Sequence, residues 1–473
     1  MEDARRSAPR LMAAIQCVWV SCAPLLVAAT LGAQTFQGRL RQGLAAGRHG
    51  DCTAALANLT PLVAKGLSSP EAFNVIAVCN SRLGHPREAT TYFERIVRLE
   101  PEAWQAWNNL GGNYLALDHP SEAASAFHKS IQLDSGVASV WFNQASAFLK
   151  LGKQTDAFES LDHAQRLAPR DPQIRGAWLT VAGLLATQAA DLINHKRYER
   201  AQSLLLETQR ALSGSGHWND LLGYAEFKLN RPKPALQHLQ TALQLDPDNV
   251  DFLMDVGEFL AHYRAYGEAE KVFEVATKRM PDSPQVKFGL AVSYILENRR
   301  QQATHLLENL IASHPGFEPG YHALGQCYED AGNGKAMVGL GKKLQGVNKS
   351  DPMAWYLIGA GLLQESVRNR SLLKAAIPAL QHAVTLAPGD SRDHFMLGKA
   401  YVEERDYPQA AVELKETLRL DPKHNRAHYV LARVYEQLGE KKLAQAEFAA
   451  HNKIIRHESN ADSRLFFTLA KRP

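Results

Sequence analysis

Eighteen histidines and five cysteines are the residues of this 473-residue chain best suited to metal or nucleophile chemistry. Their spacing assembles neither. No His-Glu-x-x-His run sets two imidazoles and a base on one helical face, as zinc hydrolysis needs, and no Cys-x-x-Cys pair occurs. A Gly-x-Ser-x-Gly turn, which would present an activated serine, is also missing. The glycine-rich stretch 332–346 lacks the Gly-x-x-x-x-Gly-Lys-Ser/Thr spacing that cradles phosphate, and no strand-helix context surrounds it. Histidines such as His85 and His119 fall at turns, where solvation accounts for them. The expectation is a chain with no catalytic residues, no metal site and no cofactor, whose chemistry is non-covalent recognition.

Composition narrows the partner. Hydrophobic residues make up 45% and charged residues 22%, which is a folding composition rather than a disordered one. A formal net charge of +4 is too small for the concentrated basic stripe of a nucleic-acid binder. Three arginines precede an uncharged run over residues 11–33, with small residues around Ala29 and Ala33 where a peptidase could cut. Residues 1–33 thus read as a signal peptide or an N-terminal membrane anchor, since about 20 apolar residues also span a bilayer. The body is expected to be exported, periplasmic or secreted, or else held at the inner membrane by residues 11–33. Cys52, Cys79 and Cys327 remain outside that segment, so one internal disulfide at most is available. Cys52 and Cys79 read as a pair or as two small buried thiols.

The elements that position recognition residues show in a period. Leu-Glu-Pro, Leu-Ala-Pro, Leu-Asp-Pro and relatives recur, with steps of 34 residues from 101 to 135, 135 to 169, 247 to 281, 281 to 315 and 388 to 422. Between these marks the pattern is aromatic, Leu-Gly or Leu-Ala, an aromatic three residues on, and an alanine nine beyond. Trp107, Leu110, Gly111, Tyr114, Ala123 and Phe127 carry it, as do Leu397, Gly398, Tyr401, Ala410 and Leu414. Each interior glycine costs about 1 kcal/mol of helix propensity, so Gly111, Gly223, Gly257, Gly325, Gly359 and Gly398 must serve close packing.

This pattern resembles the tetratricopeptide repeat over nearly the whole chain after the first 35 residues. The resemblance implies an all-α, right-handed superhelical solenoid of about twelve helix-turn-helix repeats. Repeats 1–9 would occupy 34–350, with a long irregular repeat at 170–215 and a glycine-rich, weak or kinked helix at 332–350. Repeats 10–12 would fill 351–456, and 457–473 would cap the end through Leu465, Phe466 and Phe467.

Family geometry further implies a concave groove lined by the second, fifth, sixth, ninth, twelfth and thirteenth residues of each repeat. On that face Asn108, Asn109 and Asn143 would bond the backbone of a bound segment. The fifth position carries Phe288, Tyr356, Phe395 and Tyr429, read as exposed receptors for apolar side chains. Arg392, Lys399, Arg426 and Arg433 would form one basic pocket for a carboxylate. Asp251, Asp255 and Glu258 would make the seventh repeat acidic. The function implied is a non-catalytic scaffold or adaptor for a protein or peptide. The alternatives are a membrane-anchored assembly factor for an envelope or polysaccharide-export complex and a glycan-binding solenoid.

Overall fold

The structure, a computed structural model, describes residues 35–455. The segments expected to be the signal or anchor (1–33) and the terminal cap (457–473) lie outside the described residues. Among those described there is no strand, and twelve helical pairs, each a helix A and a helix B, follow in order. Repeats 1 to 4 pair 35–48 with Cys52–Ala64, Pro70–Arg82 with Pro86–Leu99, Trp104–Ala116 with Pro120–Leu133, and Ala138–Lys150 with Gln154–Leu167. Repeat 5 sets the long helix Pro172–Asn194 before Tyr198–Glu207 and the short Gln209–Leu212. Repeats 6 to 9 pair Gly216–Lys228 with Pro232–Leu245, Val250–His262 with Tyr266–Arg279, Pro284–Leu296 with Arg300–Ser313, and Glu318–Asp330 with Gly334–Val347. Repeats 10 to 12 pair Pro352–Glu365 with Leu373–Leu386, Ser391–Glu404 with Tyr407–Leu420, and Asn425–Gln437 with Lys441–Ile455.

The chain divides into two compact units. One runs to His195 and includes Ser203–Leu212; the other comprises Lys196–Gln202 and everything from Ser213 onward. Within each unit successive helices stack, giving an α-solenoid architecture.

Local sequence explains where the helices start and stop. Prolines such as Pro70, Pro86, Pro120, Pro232 and Pro352 sit in the first turn, where a missing amide costs nothing. Ser69, Asp171, Ser283 and Asp351 accept amide hydrogens from that turn. The break between helix A and helix B is a residue with positive φ, at 84, 118 and 152, again at 230, 264, 298 and 332, and at 405 and 439. Their steps restate the 34-residue period in backbone conformation.

The glycines do the work of close approach. A Cβ at Gly111 would lie 2.7 Å from the ring of Phe127, and one at Gly398 would lie 2.9 Å from Leu414. Small residues and large ones therefore interlock: buried Ala89, Ala123 and Ala410 alternate with buried Phe93, Phe127 and Leu414.

Repeat 9 departs from the expectation of a weak or kinked second helix. Gly334–Val347 is one continuous α-helix. Its glycines let it approach the first helix of repeat 10 backbone to backbone: a Cβ at Gly341 would meet the Ala354 carbonyl at 2.6 Å, and one at Gly334 the Gly361 carbonyl at 2.6 Å. The glycines that read as weakness serve a tight contact.

In repeat 5, Pro172–Asn194 is long and apolar enough to cross a membrane by length and composition. One face of it, with Trp178, Val181, Ala182 and Leu185, is buried against Phe158 and Leu161 of repeat 4. Cys52 and Cys79 are buried thiols without a disulfide, and burial together with the neighbouring Cys52 pushes the Cys79 thiol up to about 12.

Candidate functional site

First helices of repeats 9 to 12, with Met337 of the second helix of repeat 9, line an open cavity of about 530 Å³. Gln326, Glu329 and Asp330 come from repeat 9, Leu363 and Gln364 from repeat 10, Met396, Lys399 and Glu403 from repeat 11, and Arg426 from repeat 12. These occupy the second, sixth, ninth, twelfth and thirteenth positions of their helices, the same face that helical spacing keeps in line from repeat to repeat.

Two cations dominate its chemistry. Lys399 Nζ and the Arg426 guanidinium each lie 5.8 Å from the centre of the Phe395 ring. Burial holds the Lys399 ammonium below the ordinary lysine range and Arg426 adds to the effect, while Glu329 and Glu403 oppose it. Neither Lys399 nor Arg426 makes an ion pair among the described residues. Glu329 is engaged elsewhere: both its carboxylate oxygens accept from the Tyr356 hydroxyl at 3.0 Å. Burial and that carboxylate push the Tyr356 phenol well above its usual range, so it stays a neutral donor.

The four expected cations do not form one pocket. Arg392 donates to the Asp390 carboxylate at 2.7 Å, lies 5.7 Å from the centre of the Tyr356 ring, and lines a different cavity. Arg433 is exposed and paired with Glu436 at 3.0 Å. Each is captured by a carboxylate close in its own helix or cap, and that local partner draws it away from Lys399 and Arg426.

The expected row of exposed aromatics is also corrected. Phe288 is only 2% exposed and meets Phe317 edge-on at 5.6 Å, inside the core. Tyr356 and Phe395 are buried as well, the latter under His424 with ring centres 4.5 Å apart. Tyr429 is 47% exposed and contacts Phe448 and His451 of its own repeat.

In repeats 3 and 4, Asn143 Nδ2 donates to Asn108 Oδ1 at 3.1 Å, so these two carboxamides hold each other across the repeat boundary. The Asn109 side chain is half-buried beside them. In repeat 7, Asp251 is exposed, Asp255 is buried, and Glu258 is ion-paired with Lys228.

Sequence reasoning missed Gln326, Glu329 and Gln364. Their signal is positional: they fill the ninth, twelfth and thirteenth places of first helices.

Comparison with known proteins gives the same architecture a name. Two family models described as tetratricopeptide repeat match the chain, one over residues 81–117, 113–172 and 395–454, the other over 226–292 and 260–326. Together they span more than half of it. The superkiller complex protein 3 of Mus musculus is 28% identical over 122 residues, which are 26% of this chain and 8% of that relative's length. Among solved structures, the Naa15/Naa10 complex bound to HypK-THB aligns at 14% identity and a TM-score of 0.41, covering 91% of this chain and 68% of that one. The Cut9 and Hcn1 hetero-tetramer of the APC/C aligns at 13% identity and 0.42, covering 94% and 98%. MamA of Desulfovibrio magneticus RS-1 aligns at 20% identity and 0.32, covering 38% and 98%. By its repeat-family matches, the chain belongs to the tetratricopeptide repeat family.

Proposed function

We propose that the protein is a non-catalytic scaffold or adaptor that holds an acidic segment of a protein or peptide partner between the first helices of repeats 9 to 12. The observation that carries this is the pair Lys399 and Arg426, two cations without ion-pair partners among the described residues, over one aromatic ring at a cavity wall. Arg426 disfavours the charge of Lys399. A carboxylate placed between them would relieve that repulsion and gain charge-assisted hydrogen bonds. Met396, Leu363 and Val367 supply apolar wall for the rest of a bound side chain. Export, to the periplasm or beyond, is part of the proposal and rests on the uncharged run 11–33 after three arginines. N-terminal sequencing of the mature protein tests it.

The test of the groove is affinity capture from the native host's extract with the full chain and with Lys399→Glu/Arg426→Glu, both shown by circular dichroism to be helical. A protein retained by the first and lost by the second, released by added salt, is the expected result. Equal retention by both would remove the cavity from the binding surface.

A further inference from the structure

A second cavity of about 530 Å³ opens at the N-terminal ends of the first helices of repeats 10 and 11, with His322, Asp351, Asp390, Arg392 and Asp393 in its walls. Four of these five are partnered. Asp351 accepts the Met353 amide at 2.8 Å and faces His322 Nε2 at 3.1 Å. Asp390 accepts the Arg392 amide at 2.9 Å and its guanidinium at 2.7 Å. Asp393 makes no hydrogen bond or ion pair among the described residues, although it is only 3% exposed.

Its register sharpens the point. Asp393 is the third residue of its first helix. At that place the other repeats from 2 to 12 bury an apolar side chain or a glycine, Ala72, Val140, Phe252, Val286, Ala354 and Ala427 among them. Packing alone asks for nothing charged there, and a buried carboxylate is normally paired. Burial and the neighbouring Asp390 push the Asp393 carboxyl up to about 7, with Arg392 and His394 opposing.

We infer that this cavity is the recognition pocket for one cationic side chain of a partner, a lysine ammonium or an arginine guanidinium, held by the Asp393 carboxylate. Asp351, Asp390 and Asp393 outnumber the one guanidinium in the cavity wall, that of Arg392. Pro352, Met353 and Ala387 offer apolar wall to the methylene stem that such a side chain carries. A divalent ion suits the site poorly, because no group of three or more His, Cys, Asp or Glu side chains among the described residues converges to hold a metal. The inference adds partner chemistry to the scaffold reading, and it is tested with small probes that bind whether or not the groove around Lys399 holds a protein.

The full chain is titrated by calorimetry with Nα-acetyl-lysine amide, Nα-acetyl-arginine amide, uncharged Nα-acetyl-norleucine amide and magnesium chloride. At pH 8 the two cationic amides should bind at least tenfold more tightly than the norleucine amide. Asp393→Asn should lose about tenfold or more of that affinity. Asp393→Ala, which restores the residue type usual at this register, should lose it too while folding normally. For the native chain, affinity at pH 6 should fall about tenfold from its value at pH 8, since the ligand must then displace a proton; Asp393→Asn should show no such dependence. Equal affinities of the native chain and Asp393→Asn, failure of both cationic amides to bind, or a preference for magnesium would each overturn the pocket.

Discussion

Replacing Gly111 and Gly112 with alanine, one at a time, should move stability in opposite directions. Both lie in the interior of Trp104–Ala116, so each substitution recovers about 1 kcal/mol of helix propensity. That term cancels in the comparison. At Gly112 the new Cβ meets nothing within 4 Å, and the whole gain should appear as stability. At Gly111 it would stand 2.7, 2.8 and 2.9 Å from three atoms of the Phe127 ring. Phe127 is fully buried in one cluster with Ala123, Ile131, Val140 and Ala147, the last two from the next repeat. The ring has no free direction in which to swing, and overpacking of this kind costs about 1–3 kcal/mol. Gly111→Ala should therefore destabilise by about 1 kcal/mol, the middle of that range less the propensity gain, and the two variants should differ by the full overpacking cost.

Hydrogen exchange of a peptide covering the helix reads this locally, which matters because stacked repeats open in parts. Protection should rise in Gly112→Ala and fall in Gly111→Ala. The reasoning is refuted if both shift the same way, or if Gly112→Ala is the damaging one. The latter would mean the helix is rotated by one residue, about 100°, and every face assigned from this register would turn with it.

Two further predictions follow from buried charge and backbone conformation. Asp393 holds its proton up to about 7 in the folded chain and releases it near the usual 3.8 when unfolded, so the native state binds more protons between those values. Stability contributed by this site should fall as pH rises through that window; Asp393→Ala should stabilise by up to about 4 kcal/mol at pH 8 and by little at pH 4, measured by urea unfolding at the two pH values. A gain equal at both would show that something other than the charge is relieved. Lys196 and Arg264 hold φ of 59° and 57°, where a Cβ costs about 1–2 kcal/mol relative to glycine. Lys196→Gly and Arg264→Gly should each raise the melting temperature, and a fall in either would mean its side chain contributes more than its backbone strain removes.

The repeat is legible in the sequence because its signal is steric and local. A small residue at the eighth place and a large one at the twenty-fourth must meet whatever the partner helix, and Gly111 against Phe127 or Gly398 against Leu414 repeats that meeting. Length and order of helices come with it. The glycines of 334–346 misled because a propensity argument sees only their cost within one helix. Their benefit, a backbone contact with Ala354 and Gly361, belongs to the next repeat.

The same distinction explains the aromatics. Whether a side chain at the fifth place is open to a ligand is decided outside its own helix, in repeats 8, 9 and 11 by the residue 29 positions later, just before the next first helix. Phe317 covers Phe288, His424 covers Phe395, and Asp351 meets His322 in the same way. Tyr429 belongs to repeat 12, where the described residues supply no such successor, and it is the exposed one of the set. Each helix read alone shows which face a residue occupies, but burial is decided between repeats, by pairs that no single-helix pattern contains. At the ninth place of repeat 11 and the second of repeat 12, Lys399 and Arg426 line the cavity, each 5.8 Å from the centre of the buried Phe395 ring.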